Sequence, residues 1–179
     1  MALEKGTPLS TTRIYLIGLP GSGKSTLGKE LAANLNILFV DLDAEIEKET
    51  GKKIAAIFKD HGEFFFRQRE SEHLRKWASS TEAFVMATGG GTPAYFDNME
   101  LINGSGKSIF LDVPASEIVR RIRSTELSER PLLDHRHQDE LKDQIELMRS
   151  RRINFYRQAH TVLLGEGITL EKITEQLNF

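Results

Sequence analysis

Residues 18–25 read Gly-Leu-Pro-Gly-Ser-Gly-Lys-Ser, which matches the phosphate-binding pattern G-x-x-x-x-G-K-[ST]. Glycines here let the backbone curl so that successive N–H groups point at a polyphosphate. Lys24 adds a positive charge near the terminal phosphates, and the Ser25 hydroxyl can ligate Mg²⁺. The loop therefore predicts a nucleotide site. Its expected contacts are Gly21, Ser22, Gly23, Lys24, Ser25 and Thr26.

Asp41 and Asp43 follow the second apolar run of the chain. One carboxylate can hold Mg²⁺, directly or through water, while the other accepts a proton from a substrate hydroxyl. The alternative is that Asp43 only caps the helix that follows. The two roles are compatible.

Gly89, Gly90 and Gly91 come directly after the third apolar run. Three glycines either allow a ligand to approach the backbone closely or form a flexible turn.

Upstream, Arg67 and Glu70 are i,i+3 neighbours on a predicted helix, and Glu70 falls on its apolar face. Glu70 is therefore expected to fix Arg67 for anion binding, the alternative being a purely structural ion pair.

Arg152 lies in the middle of the apolar stripe of a long predicted helix. A buried guanidinium is costly unless it meets an anion, so we expect either a protein or a ligand carboxylate beside it. The other arginines of this helix are expected to be solvated. Arg130 lies in a charged stretch and is expected to stabilise transition-state charge. Arg123 either packs on an adenine base or has no such role.

The elements around these residues alternate between strand and helix. Apolar runs predict strands near 15–18, 37–40, 84–88, 108–112 and 161–164. Helical spacing predicts helices near 24–35, 43–50, 62–79, 95–103, 115–123, 138–159 and 170–177. This order predicts an α/β fold, a parallel sheet flanked by helices on both faces. The polar stretch 124–137 predicts a mobile lid.

Length and composition limit the function classes. The 179 residues fit one domain, and we expect residues 1–12 to be a flexible tail. A net charge of −2 argues against nucleic-acid binding. The chain has no cysteine and no apolar run near the ~20 residues of a membrane span, so we expect a cytoplasmic protein.

Taken together, these motifs resemble the shikimate kinase family over nearly the whole chain. The resemblance rests on the loop at 18–28, Asp41-Leu42-Asp43 with Glu45-Ile46-Glu47, Gly62-Glu63, Phe66-Arg67-Gln68-Arg69-Glu70, Thr88-Gly89-Gly90-Gly91, Arg130-Pro131-Leu132-Leu133 and Arg152 with Tyr156. It implies a five-stranded P-loop kinase with a lid at 124–137 and a helical substrate-binding region at 43–80. It also implies a monomer that transfers the γ-phosphoryl group of ATP to the 3-hydroxyl of shikimate, with Mg²⁺, in aromatic amino-acid biosynthesis.

The same resemblance implies a role for each matching residue. Lys24 and Arg130 would hold the phosphoryl group, and Ser25 would bind Mg²⁺ with Asp41 nearby through water. Asp43 would contact the reacting hydroxyl. Arg67 and Arg152 would clamp the carboxylate, Gly90 would contribute backbone, and Arg123 matches the adenine-side position.

One loop departs from the sequence pattern of the family. Gly165-Glu166-Gly167 lacks the Arg and Pro that often frame the adenine.

The nearest alternative function is that of a gluconate or nucleoside-monophosphate kinase, but two arginines beside an Asp-x-Asp loop favour a carboxylated polyol as the substrate. A GTPase would carry a motif such as Asn-Lys-x-Asp, which the sequence lacks.

Overall fold

The structure is a computed structural model that describes residues 12–129 and 138–177. Arg130, most of the expected tail and the lid residues 130–137 lie outside the described residues. The elements are β1 (Arg13–Ile17), α1 (Lys24–Leu35), β2 (Leu38–Asp41), α2 (Leu42–Thr50), α3 (Ile54–Ala78), β3 (Phe84–Ala87), a 3₁₀ turn (Thr92–Ala94), α4 (Asn98–Ser105), β4 (Lys107–Asp112), α5 (Ala115–Glu129), α6 (Gln138–Tyr156), β5 (Thr161–Leu164) and α7 (Leu170–Glu175).

The five strands form one parallel sheet in the order β2-β3-β1-β4-β5. β1 lies at the centre, with Leu16 in register with Ala87 of β3 and Ile17 in register with Phe110 of β4. From β1 the chain goes to the edge strand β2, returns to β3 beside β1, and then crosses to β4 and β5 on the other side. In such sheets the crevice outside the carboxyl end of the central strand is the ligand site. The predicted five-stranded parallel fold is confirmed.

The burial of β1 shows why the sheet is covered on both faces. Ile14, Tyr15, Leu16 and Ile17 are all at most 1% exposed. Because successive side chains of a strand point to opposite faces, both faces of β1 are packed under helices. β5 is an edge strand instead, and Leu164 at its end is 70% exposed.

Helix α3 is longer than predicted and is interrupted at Gly62, which has φ 81° and ψ 172°. The sequence predicts a helix only from 62 onward, but the chain is already helical from Ile54. This first segment is held by a small apolar cluster in which Ile57 meets Ile46 of α2 and Phe66. A positive φ is available to glycine at little cost, so Gly62 lets the two segments of α3 change direction.

Several other predicted boundaries shift. α5 continues through Glu129, so residues 124–129 of the expected lid are helical. The helix predicted at 95–103 is α4, over Asn98–Ser105, and α6 ends at Tyr156 rather than 159. Within residues 12–129 and 138–177, no helix has the length and apolar character needed to cross a membrane.

Candidate active site

The loop after β1 wraps around a cavity of about 640 Å³. Gly18, Gly21 and Gly23 all have positive φ, between 79° and 146°, a backbone region that favours glycine. Gly23 is also the N-cap of α1, so the helix begins at Lys24 and its positive end faces the cavity. The geometry is that of an anion site, as the sequence predicts.

Lys24 is buried at the floor of this cavity. Its Nζ donates to the carbonyl oxygens of Gly18, at 2.9 Å, and Leu19, at 2.8 Å. Burial lowers the pKa of Lys24 to about 8, although the Asp43 and Asp41 carboxylates oppose that change. The ammonium group is therefore still mostly protonated at neutral pH and brings its charge to the loop.

Ser25 and Asp41 bring two oxygen donors together at the cavity. The Ser25 hydroxyl donates to Asp41 Oδ2 at 2.7 Å. Asp41 Oδ1 accepts from the backbone N–H of Ala44 at 3.3 Å, which makes Asp41, and not Asp43, the N-cap of α2. The helix-capping role considered for Asp43 therefore belongs to Asp41, and the Asp43 carboxylate is not used as a cap.

Asp43 lies where this cavity meets a second, smaller one. Its Oδ1 is buried and has no hydrogen-bond partner among the described residues. Burial, together with the Glu70 and Asp41 carboxylates, raises the pKa of Asp43 to about 6 against the opposing charges of Lys24 and Arg67. A carboxylate with a raised pKa and an unused oxygen is suited to accept a proton or a hydroxyl hydrogen bond.

The second cavity measures about 170 Å³ and is lined by side chains from α2, α3 and α6 around a glycine wall. A Cβ added at Gly89 would lie 2.4 Å from Glu70 Oε1, and one at Gly91 would lie 2.4 Å from Arg67 Nη1. Neither glycine has a positive φ. The glycines are needed because charged side chains pack directly against the backbone, and not because the turn must be flexible.

Arg67 is held firmly at one side of this cavity. Its Nη1 donates to Glu70 Oε2 at 2.8 Å, and Glu70 is completely buried. The aromatic ring of Tyr95 lies 4.3 Å from Cζ of Arg67. Burial acts to lower the pKa of Arg67, but its carboxylate partners Glu70 and Glu63 outweigh burial and raise it. The ion pair predicted from the i,i+3 spacing is present, and it keeps Arg67 charged and oriented.

Arg152 lies across the same cavity from α6. Its Nη1 is 3.3 Å from where a Cβ on Gly90 would be. The sequence predicts a buried side chain, but Arg152 is only half-buried because the apolar stripe of α6 opens onto the cavity at this position. Within the described part of the chain no carboxylate lies within 4.0 Å of its guanidinium. Among the described residues, the protein carboxylate considered as a partner for Arg152 is therefore not found, and a ligand carboxylate there stays a prediction.

Two other arginines lie where the sequence did not predict them. Arg149 is expected on a solvated face, but its Nη2 donates to both carboxylate oxygens of Asp112, at 2.9 and 2.7 Å. Arg121 was missed altogether. It donates through Nε to Glu117 at 2.6 Å, through Nη1 to the carbonyl of Ser22 at 3.1 Å and through Nη2 to the carbonyl of Glu166 at 2.8 Å.

Arg121 thereby ties the phosphate loop to the loop after β5. It lines the larger cavity together with Ile122 and Ile168. Arg123, the residue predicted on the adenine side, is half-buried and is not among the described residues that line either cavity. The contacts of Arg121 could not be predicted from residue types along the chain, because two of its partners are backbone carbonyls, 99 and 45 positions away.

Further residues, to which the sequence assigned no role, support the glycine wall. The buried Tyr156 hydroxyl donates to the carbonyl of Gly90, and burial raises the pKa of Tyr156 to about 12. Thr92 donates to Glu70 Oε1, and Asn98 donates to the carbonyl of Thr92 at 3.0 Å. These contacts hold the backbone of the wall in place from both sides.

Comparisons with known proteins, by sequence and by structure, point to one family. The family model described as SKI: Shikimate kinase matches residues 20–178. The shikimate kinase of Bacteroides fragilis is 42% identical over 156 residues, which is 87% of this chain and 86% of that one. The crystal structure of shikimate kinase from Bacteroides thetaiotaomicron gives a TM-score of 0.85 at 36% identity, covering 94% of this chain and 99% of that one. The shikimate kinase of Acinetobacter baumannii in complex with shikimate gives 0.78 at 32% identity, covering 93% and 90%.

Proposed function

The chain belongs to the shikimate kinase family, and we propose that its two cavities divide that family's reaction between them. The enzyme transfers the γ-phosphoryl group of ATP to the 3-hydroxyl of shikimate, giving 3-phosphoshikimate and ADP. ATP occupies the cavity formed by the phosphate loop, and shikimate occupies the smaller cavity with the glycine wall.

The observation that carries this assignment is the pair of arginines in the smaller cavity. Arg67 and Arg152 both line it, and Asp43 lies at its junction with the nucleotide cavity. A carboxylate held by the two guanidinium groups would place the hydroxyls of the same small ring toward Asp43 and the phosphates. Gly89, Gly90 and Gly91 line the same cavity and would contribute backbone groups to the ring.

Catalysis then depends on position and charge. The hydroxyl oxygen forms a bond to the γ-phosphorus while the bond to the ADP oxygen breaks, and Asp43 accepts the hydroxyl proton. Lys24 stabilises charge on the phosphates from the loop. Arg130, outside the described residues, is assigned to the same charge from the lid, and Arg123 to the adenine side.

Mg²⁺ fits the residues present. Ser25 Oγ and Asp41 Oδ2 are hard oxygen donors 2.7 Å apart at the phosphate cavity, and this ion prefers oxygen ligands supplied by few protein groups together with phosphates. Ser25 would hold the ion directly and Asp41 through water, and the bound ion would neutralise phosphate charge. Among the described residues, no cluster of three or more His, Cys, Asp or Glu offers another metal site.

The setting of the enzyme is part of the same proposal. We assign it to the cytoplasm as a monomer with one domain, without nucleic-acid or membrane partners. A net charge of −2 supports the assignment against nucleic acid. Sedimentation at micromolar concentration tests the oligomeric state, and a mass of twice 20.2 kDa would contradict it.

A coupled ADP-release assay with Mg-ATP tests the substrate assignment. Shikimate, gluconate and nucleoside monophosphates are offered separately, with Lys24→Met as the inactive control. Turnover with shikimate alone is expected. Turnover with another acceptor and none with shikimate would keep the nucleotide site and overturn the assignment of the smaller cavity.

A further inference from the structure

Glu63 contacts Arg67 at one particular edge of its guanidinium. A single oxygen, Oε1, accepts from Nε at 3.3 Å and from Nη2 at 3.2 Å. Glu70 binds at the other end of the group, through Nη1. The edge formed by Nε and Nη2 presents two parallel N–H groups, which is the geometry that binds a carboxylate in a bidentate manner. Glu63 therefore occupies a carboxylate-binding edge of Arg67.

The charge of Arg152, the second arginine of the cavity, also acts on Glu63. Its pKa is lowered first by the hydrogen bond from Tyr95 and then by contacts with Arg67, with the charge of Arg152 acting in the same direction. The Tyr95 hydroxyl donates to Glu63 Oε1 at 2.7 Å. The carboxylate of Glu63 thus lies in the field of both arginines assigned to the acceptor's carboxylate, and it is oriented by a third group.

The two carboxylate partners of Arg67 differ in how readily they can leave. The side chain of Glu70 is 0% exposed, whereas that of Glu63 is 52% exposed. A fully buried carboxylate that lost its partner would leave a buried charge unpaired, whereas the half-exposed carboxylate of Glu63 can be hydrated by water when it leaves Arg67. Glu70 therefore stays paired with Arg67, whereas the side chain of Glu63 can rotate away from Arg67 into solvent at small cost.

We propose that Glu63 stands in for the substrate's carboxylate: it pairs with Arg67 while the acceptor cavity is empty and is displaced when an anionic acceptor binds. This inference rests on the proposed function of the smaller cavity. Glu63 sets the affinity for the acceptor through competition, and it favours anionic acceptors, because a neutral ligand has no charge with which to displace it.

Calorimetry on Glu63→Gln tests the proposal with two ligands, shikimate and its neutral methyl ester. Glutamine keeps the size and the acceptor oxygen but removes the competing charge. We expect shikimate to bind about two- to fivefold more tightly, a modest gain because the departing Glu63 carboxylate is half-exposed and can be hydrated, and the ester to gain nothing. In turnover, KM for shikimate falls by the same factor, while kcat and KM for ATP are unchanged.

Glu72→Gln is the matched control, because Glu72 pairs with Arg69 at 2.9 Å in the same helix and is 58% exposed. It should change neither ligand's affinity. Tyr95→Phe keeps the ring beside Arg67 but removes the hydrogen bond to Glu63, so it should tighten shikimate binding in the same direction and by less. Unchanged or weaker shikimate binding by Glu63→Gln overturns the proposal, as does an equal gain for the ester. Failure of the wild-type chain to bind shikimate would instead contradict the proposed function.

Discussion

Replacing Asp43 by asparagine should make the protein more stable and nearly inactive. The pKa of Asp43 lies at about 6 instead of its ordinary 3.8, mainly because the group is buried and faces Glu70 and Asp41. A difference of one pKa unit between the folded and the unfolded state, a tenfold change in the ionisation constant, corresponds to about 1.4 kcal/mol. Keeping Asp43 ionised at pH 7 therefore lowers the free energy of unfolding by about 3 kcal/mol, and Asp43→Asn removes that cost.

The pH dependence gives the sign of this effect. A carboxyl whose pKa is higher in the folded state than in the unfolded state carries no cost below about pH 4, where it is protonated in both states. The cost grows as pH rises and is complete above about pH 6. Asp43→Asn should therefore exceed the wild type in stability at pH 7, and the difference should shrink toward zero at pH 4.

Urea denaturation of both proteins between pH 4 and pH 8, without nucleotide or metal, measures this difference. Asp60→Asn is the control, since Asp60 is exposed and Lys52 lowers its pKa, so its substitution should not stabilise the protein. In the ADP-release assay Asp43→Asn should reduce kcat by at least about 10²-fold. A difference in stability that does not vary with pH, or a variant less stable than the wild type at pH 7, would refute the argument.

The remaining predictions concern three arginines. Arg152→Ala should weaken shikimate binding by about 10- to 100-fold, the worth of a charged hydrogen bond in a cavity, and leave ATP binding unchanged in calorimetry; normal shikimate binding would remove it from the clamp. Arg130→Ala should lower kcat by at least about 10²-fold, and an unchanged kcat would contradict its role. Arg121→Ala should raise KM for ATP and leave KM for shikimate unchanged, because Arg121 ties the phosphate loop to the loop after β5; a change confined to shikimate would refute this.

Local patterns predicted much of the fold. The helix at 24–35 and the strand at 161–164 have the predicted bounds, because hydrophobic spacing and the phosphate loop define them within a few residues. The first segment of α3 was missed. It is short, lies close to Gly51 and Gly62, and is held by Ile57 packing against α2, a contact that spacing along the chain does not reveal.

The site divides in the same way. The phosphate loop and the Arg67–Glu70 pair are local, so the sequence predicts them. Arg121 and Tyr95 act through partners far along the chain, on backbone carbonyls and on Glu63, and neither belongs to a motif. The half-exposure of Arg152 depends on the cavity beside α6, and its place on an apolar stripe suggested burial instead.

The central claim is that the phosphoryl group passes to a ring hydroxyl held between Asp43 and the two cavity arginines. Phosphorus NMR of a reaction with Mg-ATP and shikimate tests it most directly. We expect a new phosphomonoester resonance coupled to a single ring proton, appearing together with ADP and absent with Lys24→Met. ADP accompanied only by inorganic phosphate would show transfer to water and contradict the account.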